Sequence, residues 1–204
     1  MIKPKVITDY PVAYESHDHQ NPKGTANDNT KNGAYVRELI RRFGGDMAYM
    51  DLGCAGGGFV SQFLYNDVLA VGIEGSDTCK KHGLYEWTKH PDYLHTADIT
   101  KPFSVVDSET DEPILFDAIS AFDVMEHIHR EDLNVVLDNV AKHLKTGGIF
   151  VAGIATFEDE GYHVTLEEKP WWDELMLKHG LQIDERGLDN FGRVTSINAV
   201  YVKR

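Results

Sequence analysis

The chain has 204 residues, 42% of them hydrophobic and 26% charged, which fits one globular domain with a short extension and excludes a low-complexity or fibrous chain. Acidic residues outnumber basic ones by 33 to 20, and the resulting net charge of −13 repels phosphate backbones, which disfavours a nucleic-acid partner. Two cysteines, Cys54 and Cys79, are too few for a disulfide framework, residues 1–10 lack the apolar core of a signal peptide, and the longest apolar stretch, around residues 149–157, is too short to span a bilayer, so a cytoplasmic protein with no membrane partner is expected.

Residues 1–33 are rich in Asp, Asn, His, Lys and Pro without a sustained hydrophobic period, and read as an irregular arm that orders only by packing on the domain or a ligand. Residues 34–204 form the domain proper. Val36, Leu39, Ile40 and Phe43 have helical spacing, stopped by Gly44-Gly45; the basic cluster Arg37, Arg41 and Arg42 on that segment reads as a solvated helix face. Strands are expected at 47–52, 68–73, 93–96, 114–121 and 149–154. Helices begin at Phe59 and near Ser76 or Asp77, and a third covers 130–144, ended by Gly147-Gly148. A polar loop fills 101–112. The tail reads as a helix over 171–179 and strands at 182–186 and 196–202, joined through an Asn190-Phe191-Gly192 turn into a hairpin. Strands alternating with helices predict an α/β domain, doubly wound, with a mostly parallel sheet and an antiparallel member at one edge.

The informative stretch is Asp51-Leu52-Gly53-Cys54-Ala55-Gly56-Gly57-Gly58, between the first strand and a helix. Glycines allow a sharp turn and close approach to a ligand, and the following helix start offers free N–H groups. Glu74 closes the second strand, where an acid can take both hydroxyls of an adenosine ribose; Asp98 closes the third, where a carboxylate can accept from an adenine amino group. Ligands in open α/β sheets bind at these carboxyl ends.

The glycine-rich stretch resembles motif I of class I S-adenosylmethionine-dependent methyltransferases, and Gly72-Ile73-Glu74-Gly75-Ser76 resembles their second motif. Residues 116–127 resemble their fourth strand and its turn, and Leu144-Lys145-Thr146-Gly147-Gly148 the turn before strand five. The resemblance implies a Rossmann-like seven-stranded sheet of order 3-2-1-4-5-7-6 with strand seven antiparallel. It implies that Asp51 and Gly53 hold the methionine portion of the cofactor, Glu74 the ribose, and Asp98 with Ile99 the adenine, with Phe122 lining the pocket. Cys54, Ala55 and Gly56 in the loop, and Gly75 and Ser76 beside Glu74, complete the expected cofactor set. Ala55 departs from the glycine of many relatives and is tolerated there if its φ is negative.

Gly53-x-Ala55-x-x-Gly58 also fits a loose dinucleotide fingerprint, and Tyr85-x-x-x-Lys89 mimics a short-chain dehydrogenase pair, but the pair falls before the third strand. A NAD-dependent oxidoreductase is therefore the weaker reading, as is a binding module that kept the fold without turnover.

Methyl transfer is an in-line displacement, so alignment and water exclusion dominate, and a hydroxyl acceptor also needs a base. Glu126 and His127, after strand four, and His163, after strand five, are the expected catalytic residues. Asp123-x-x-Glu126-His127, with His163, also resembles the metal ligands of some methyltransferases acting on catechols or RNA ends; a divalent metal is the less favoured reading, since metal-free relatives share the Glu-His pair. Tyr162-His163-Val164-Thr165, Lys169-Pro170-Trp171-Trp172 and the arm resemble bacterial and phage methyltransferases found among surface-glycan enzymes. An arm rich in Asp, Asn and His suits hydrogen bonds to sugar hydroxyls, and the expected acceptor is a small molecule, a sugar or glycan hydroxyl, with a protein or RNA end as alternative. The turn after strand four lacks the Asn/Asp-Pro-Pro-aromatic motif of base amino-methylation and has no nearby cysteine for cytosine C5 chemistry.

Overall fold

The structure, a computed structural model, describes residues 2–188 and 196–204; the expected Asn190-Phe191-Gly192 turn lies outside them. In chain order the elements are β1 (Pro4–Ile7), α1 (His17–Gln20), α2 (Lys23–Asn27), α3 (Gly33–Phe43), β2 (Ala48–Leu52), α4 (Gly58–Leu64), β3 (Leu69–Glu74), α5 (Thr78–His82), β4 (Leu94–Thr96), β5 (Ser104–Asp107) and β6 (Phe116–Phe122). A short 3₁₀ turn, Met125–His127, leads to α6 (Leu133–His143), β7 (Leu144–Ala155), α7 (Lys169–Lys178), β8 (Leu181–Ile183) and β9 (Ser196–Lys203).

The main sheet has seven strands in the order β4-β3-β2-β6-β7-β9-β8. Setting aside β1 and β5, which pair with each other, this is the 3-2-1-4-5-7-6 order, with β9 antiparallel to both β7 and β8. The alternation along each strand explains the two layers, since successive side chains leave opposite faces. Tyr49, Ala70, Ala118, Ile149 and Val151 pack beneath α3 and α4 with Tyr35, Val36, Leu39, Val60 and Phe63. Met50, Leu52, Ile73, Ile119, Phe150 and Ala152 meet α6 and α7 on the other side, against Leu133, Val136, Leu137, Val140, Trp172 and Met176. Both faces are therefore buried, as a parallel sheet requires.

Three expectations are corrected. The arm is not irregular throughout. It contains β1, α1 and α2, which lack a long hydrophobic period because they are four or five residues long and lean on the domain. The polar loop at 101–112 contains β5, which pairs antiparallel with β1; only Phe103, Val105 and Val106 are buried there, too few to give a periodic signal. Gly147-Gly148 does not end α6. The helix stops at His143, Leu144 is already extended, and the glycines sit inside β7, where the β6–β7 pairing shifts register. A Cβ on Gly148 would lie 3.1 Å from the Asp117 carbonyl, so the small residue permits the close approach of β7 to β6.

Candidate active site at the carboxyl ends of the strands

The loop after β2 turns over the ends of β2 and β3. Gly53 adopts a left-handed φ of 69°, its N–H donates to Ile73 O at 2.8 Å, and a Cβ there would collide with a Val124 methyl. Cys54 is buried, with its sulfur close against Gly72, so it presents main chain rather than a thiol to the loop's open side. Ala55 has φ +43°, so the negative angle that would make alanine unstrained there is not adopted. The turn is held at both ends of that residue: its N–H donates to Glu74 Oε2 at 2.8 Å, and its carbonyl accepts from Trp87 Nε1 at 2.7 Å. An L-residue in this region costs about 1–2 kcal/mol, and glycine returns part of that gain as chain entropy. Ala55→Gly is therefore expected to stabilise the fold by about 0.5 kcal/mol, raising Tm by roughly 1–2 °C in thermal unfolding.

Glu74, at the end of β3, is buried; Oε1 accepts the Ser76 N–H at 3.0 Å while Oε2 holds Ala55. Burial raises its pKa against the opposing pull of those N–H groups. Beneath the loop, Asp51 accepts Ser120 Oγ at 2.5 Å and Tyr49 OH at 3.3 Å, and burial pushes its carboxyl up to about 7 despite these donors. Asp98 lies just beyond β4; its Oδ1 accepts the N–H and hydroxyl of Thr100 at 2.9 and 2.6 Å. Ile99 beside it is buried, and its carbonyl accepts from Asn139 Nδ2 at 3.0 Å. Phe122, ending β6, has its ring centroid 5.4 Å from those of Tyr35 and Phe59. The expected cofactor residues thus lie along the adjoining carboxyl ends of β2, β3, β4 and β6.

The 3₁₀ turn after β6 carries the second group. Asp123, at φ +53°, donates its N–H to Gly153 O, tying this turn to β7. Glu126 is fully buried. Oε1 accepts the Ala155 N–H at 2.8 Å, while Oε2 is buried without a hydrogen-bond partner. The Glu126 carbonyl accepts the N–H groups of Val164 and Thr165, which draws the loop carrying His163 inward. His163 Nδ1 is 2.6 Å from the Phe157 carbonyl and must donate to it, leaving Nε2 as the acceptor of the neutral ring. Glu126, His127 and His163 each bring a polar atom within 4.8 Å of the others. Asp123 is not part of this trio, which contains the other three residues of the metal set considered from the sequence. Burial raises the Glu126 pKa. For His127 burial acts downward, but Asp18, with Glu126 and Asp123, outweighs it and raises the pKa.

The arm crosses both groups. Asp98 N–H donates to Tyr10 O, Ala13 N–H to Gly75 O and Gly56 N–H to Asp28 O, each at 2.9 Å. A Cβ on Gly56 would sit 2.6 Å from that Asp28 carbonyl, so the glycine admits the arm. Farther along, Asn29 and Lys31 donate to the buried Glu86 at 3.2 and 2.7 Å. Asp18 Oδ2 lies 3.1 Å from His127 Nδ1. Asp18, Trp87 and the Ser120–Tyr49 pair are absent from the sequence-based site; nothing in their local patterns marks them, because each acts through a partner distant in sequence.

Strand order, edge hairpin and loop position together define the fold of the S-adenosylmethionine-dependent class I methyltransferases. Residues 27–189 match the family model described as a methyltransferase domain, and the chain belongs to that family. No curated protein matches it in sequence. Among solved structures it is similar to magnesium protoporphyrin IX methyltransferase from Synechocystis with bound S-adenosylhomocysteine, with a TM-score of 0.64 and 13% identity over 94% of this chain and 97% of that one. It is also similar to a sugar N-methyltransferase from Streptoalloteichus, with a TM-score of 0.62 and 16% identity over 90% of each chain. A TehB-like S-adenosylmethionine-dependent methyltransferase from Corynebacterium glutamicum gives a TM-score of 0.61 and 17% identity over 84% of this chain and 88% of that one. At these identities the likeness establishes the fold. No helix among the described residues is long and apolar enough to cross a membrane.

Proposed function

We propose that the chain transfers a methyl group from S-adenosylmethionine to a hydroxyl of a small-molecule acceptor, a sugar or glycan. The observation that carries this reading is the juxtaposition of a glycine-rich loop flanked by Asp51, Glu74 and Asp98 with the Glu126–His127–His163 trio. The reading is supported by a loop whose glycines let the main chain turn tightly against Val124 and the arm, and by three acids at neighbouring strand ends that could accept from an amino group, a ribose diol and an adenine. S-adenosylmethionine supplies a methyl group on a sulfonium, which departs as a neutral thioether. Asp51 would face the amino group, Glu74 the ribose diol, and Asp98 with Ile99 the adenine. Phe122 would close the apolar wall. His127 would take the acceptor's proton, with His163 orienting the hydroxyl and Glu126 fixing the turn between them.

We further read residues 1–33 as a lid over the cofactor edge that excludes water. The sugar assignment rests on the arm's Asp, Asn and His content near the trio, and a sugar N-methyltransferase and an amino pentose methyltransferase among the similar structures are consistent with it. The acidic surface argues against RNA ends, and the buried, unpaired Cys54 and Cys79 suit a reducing, cytoplasmic setting. Transfer of labelled methyl to a panel of sugars and sugar nucleotides tests the reading. Turnover confined to peptides or RNA ends would overturn the acceptor, and binding of S-adenosylhomocysteine with no turnover on any class would leave a binding module.

The raised pKa of Asp51 makes cofactor binding pH-dependent. An ammonium group needs the carboxylate ionised, so S-adenosylhomocysteine affinity should rise with pH through about 7 and weaken below it, approaching about tenfold per pH unit. Calorimetry from pH 5.5 to 8 checks this, with Asp51→Asn expected to flatten the profile.

A further inference from the structure

The arm touches the proton-handling side of the site through one charged residue. Asp18 lies in α1, whose start is capped by Ser16 Oγ accepting from the His19 N–H at 3.1 Å. Two contacts seat α1 on the loop after β7: the His17 ring packs 4.0 Å from the Tyr162 ring, and Tyr162 OH donates to Asn21 O at 3.1 Å. That seat puts Asp18 Oδ2 3.1 Å from His127 Nδ1, a contact that is an ion pair only when the ring is protonated and is not aligned as a hydrogen bond. Residues on either side of α1 make the main-chain bonds to Asp98, Gly75 and Gly56. One segment therefore both covers the cofactor edge and sets a carboxylate against the imidazole.

We propose that Asp18 is a positioning residue for His127, and that closure of the arm is what turns His127 into a base with Nδ1–H toward Asp18 and Nε2 open. The inference rests on reading His127 as the base. A carboxylate can only accept, so the neutral ring facing it carries its proton on Nδ1 and its lone pair on Nε2. As the acceptor oxygen bonds to the methyl carbon and the carbon–sulfur bond breaks, the hydroxyl proton passes to Nε2, and Asp18 faces the resulting imidazolium. The other groups around His127 are Glu126 and Asp123 on its own turn, and His163 and Tyr162, with rings 4.9 and 6.4 Å away, on the loop after β7. None of them belongs to the arm. Only the Asp18 contribution depends on whether the arm is closed, which ties proton removal to an enclosed cofactor.

Imidazole ¹⁵N spectra of the full-length protein saturated with S-adenosylhomocysteine test this, with His127→Gln assigning the signals. In the wild type His127 is expected as the Nδ1–H tautomer, titrating above a free histidine. Asp18→Asn should mix the tautomers and move the titration midpoint down, and Asp18→Glu, which keeps a carboxylate, should hold both. Unchanged tautomer and midpoint in Asp18→Asn would overturn the proposal and leave Asp18 as a mere latch. A separate outcome, normal methyl transfer by His127→Gln, would sink the base assignment while leaving the Asp18–His127 pairing measured.

Discussion

Glu74→Ala is expected to cut S-adenosylhomocysteine affinity by at least about a hundredfold, because a ribose diol bonded to a buried carboxylate loses about 3 kcal/mol when that acceptor goes. The effect has a second source in the loop itself. Glu74 accepts the N–H groups of Ala55 and Ser76, and without it both donors lose their partner, at about 1–3 kcal/mol each. The variant should therefore melt earlier as well as bind more weakly. Calorimetry together with thermal unfolding separates the two: a lower Tm with unchanged affinity would make Glu74 a purely structural clamp of the turn.

His127→Gln should lower turnover by about a hundredfold to ten-thousandfold while leaving S-adenosylhomocysteine affinity within about threefold, the pattern of a group that acts only in the transition state. Loss of affinity equal to the loss of turnover would instead mark His127 as part of the cofactor pocket. The pH dependence carries a sign. A base must be neutral to accept, and Asp18, Glu126 and Asp123 hold the His127 pKa above the 6.5 of a free imidazole, so the wild-type rate should climb through a midpoint on the alkaline side of that value. Stability runs the other way. A raised histidine pKa contributes stability that is fully present below the unfolded value and is lost as pH rises through the folded one. If His127 is the base, as proposed, the protein gives up a little stability over the pH range in which that base becomes active.

Much of the fold is legible in the sequence because the central strands carry long apolar runs punctuated by glycine, and the period of Leu133, Val136, Leu137 and Val140 leaves no other assignment for α6. The strand-tip acids are legible unequally: Glu74 ends the apolar run of β3, so its place follows from the element boundary, whereas Asp98 lies two residues beyond the short, polar β4 and is marked mainly by its spacing. What escapes is structure made by distant partners. β1 and β5 are short and exist through each other, and α1 is a single turn seated on Tyr162. Gly147-Gly148 has the composition of a helix stop, yet the demand for close packing between β6 and β7 places it within a strand. Ala55 shows the limit of reading conformation from residue type. Its φ is set by Glu74 and Trp87, which grip its two peptide groups, rather than by its own preference. Asp18 belongs with these cases, since its meaning arises only where the arm meets the turn after β6.

The most direct measurement is a crystal structure of the full chain soaked with S-adenosylhomocysteine. The expected result is an adenosyl group along the ends of β2, β3 and β4, its ribose on Glu74, its adenine beside Asp98 and Ile99, and its sulfur turned toward His127. A ligand lodged elsewhere, or one whose sulfur faces away from Glu126, His127 and His163, would contradict the assignment.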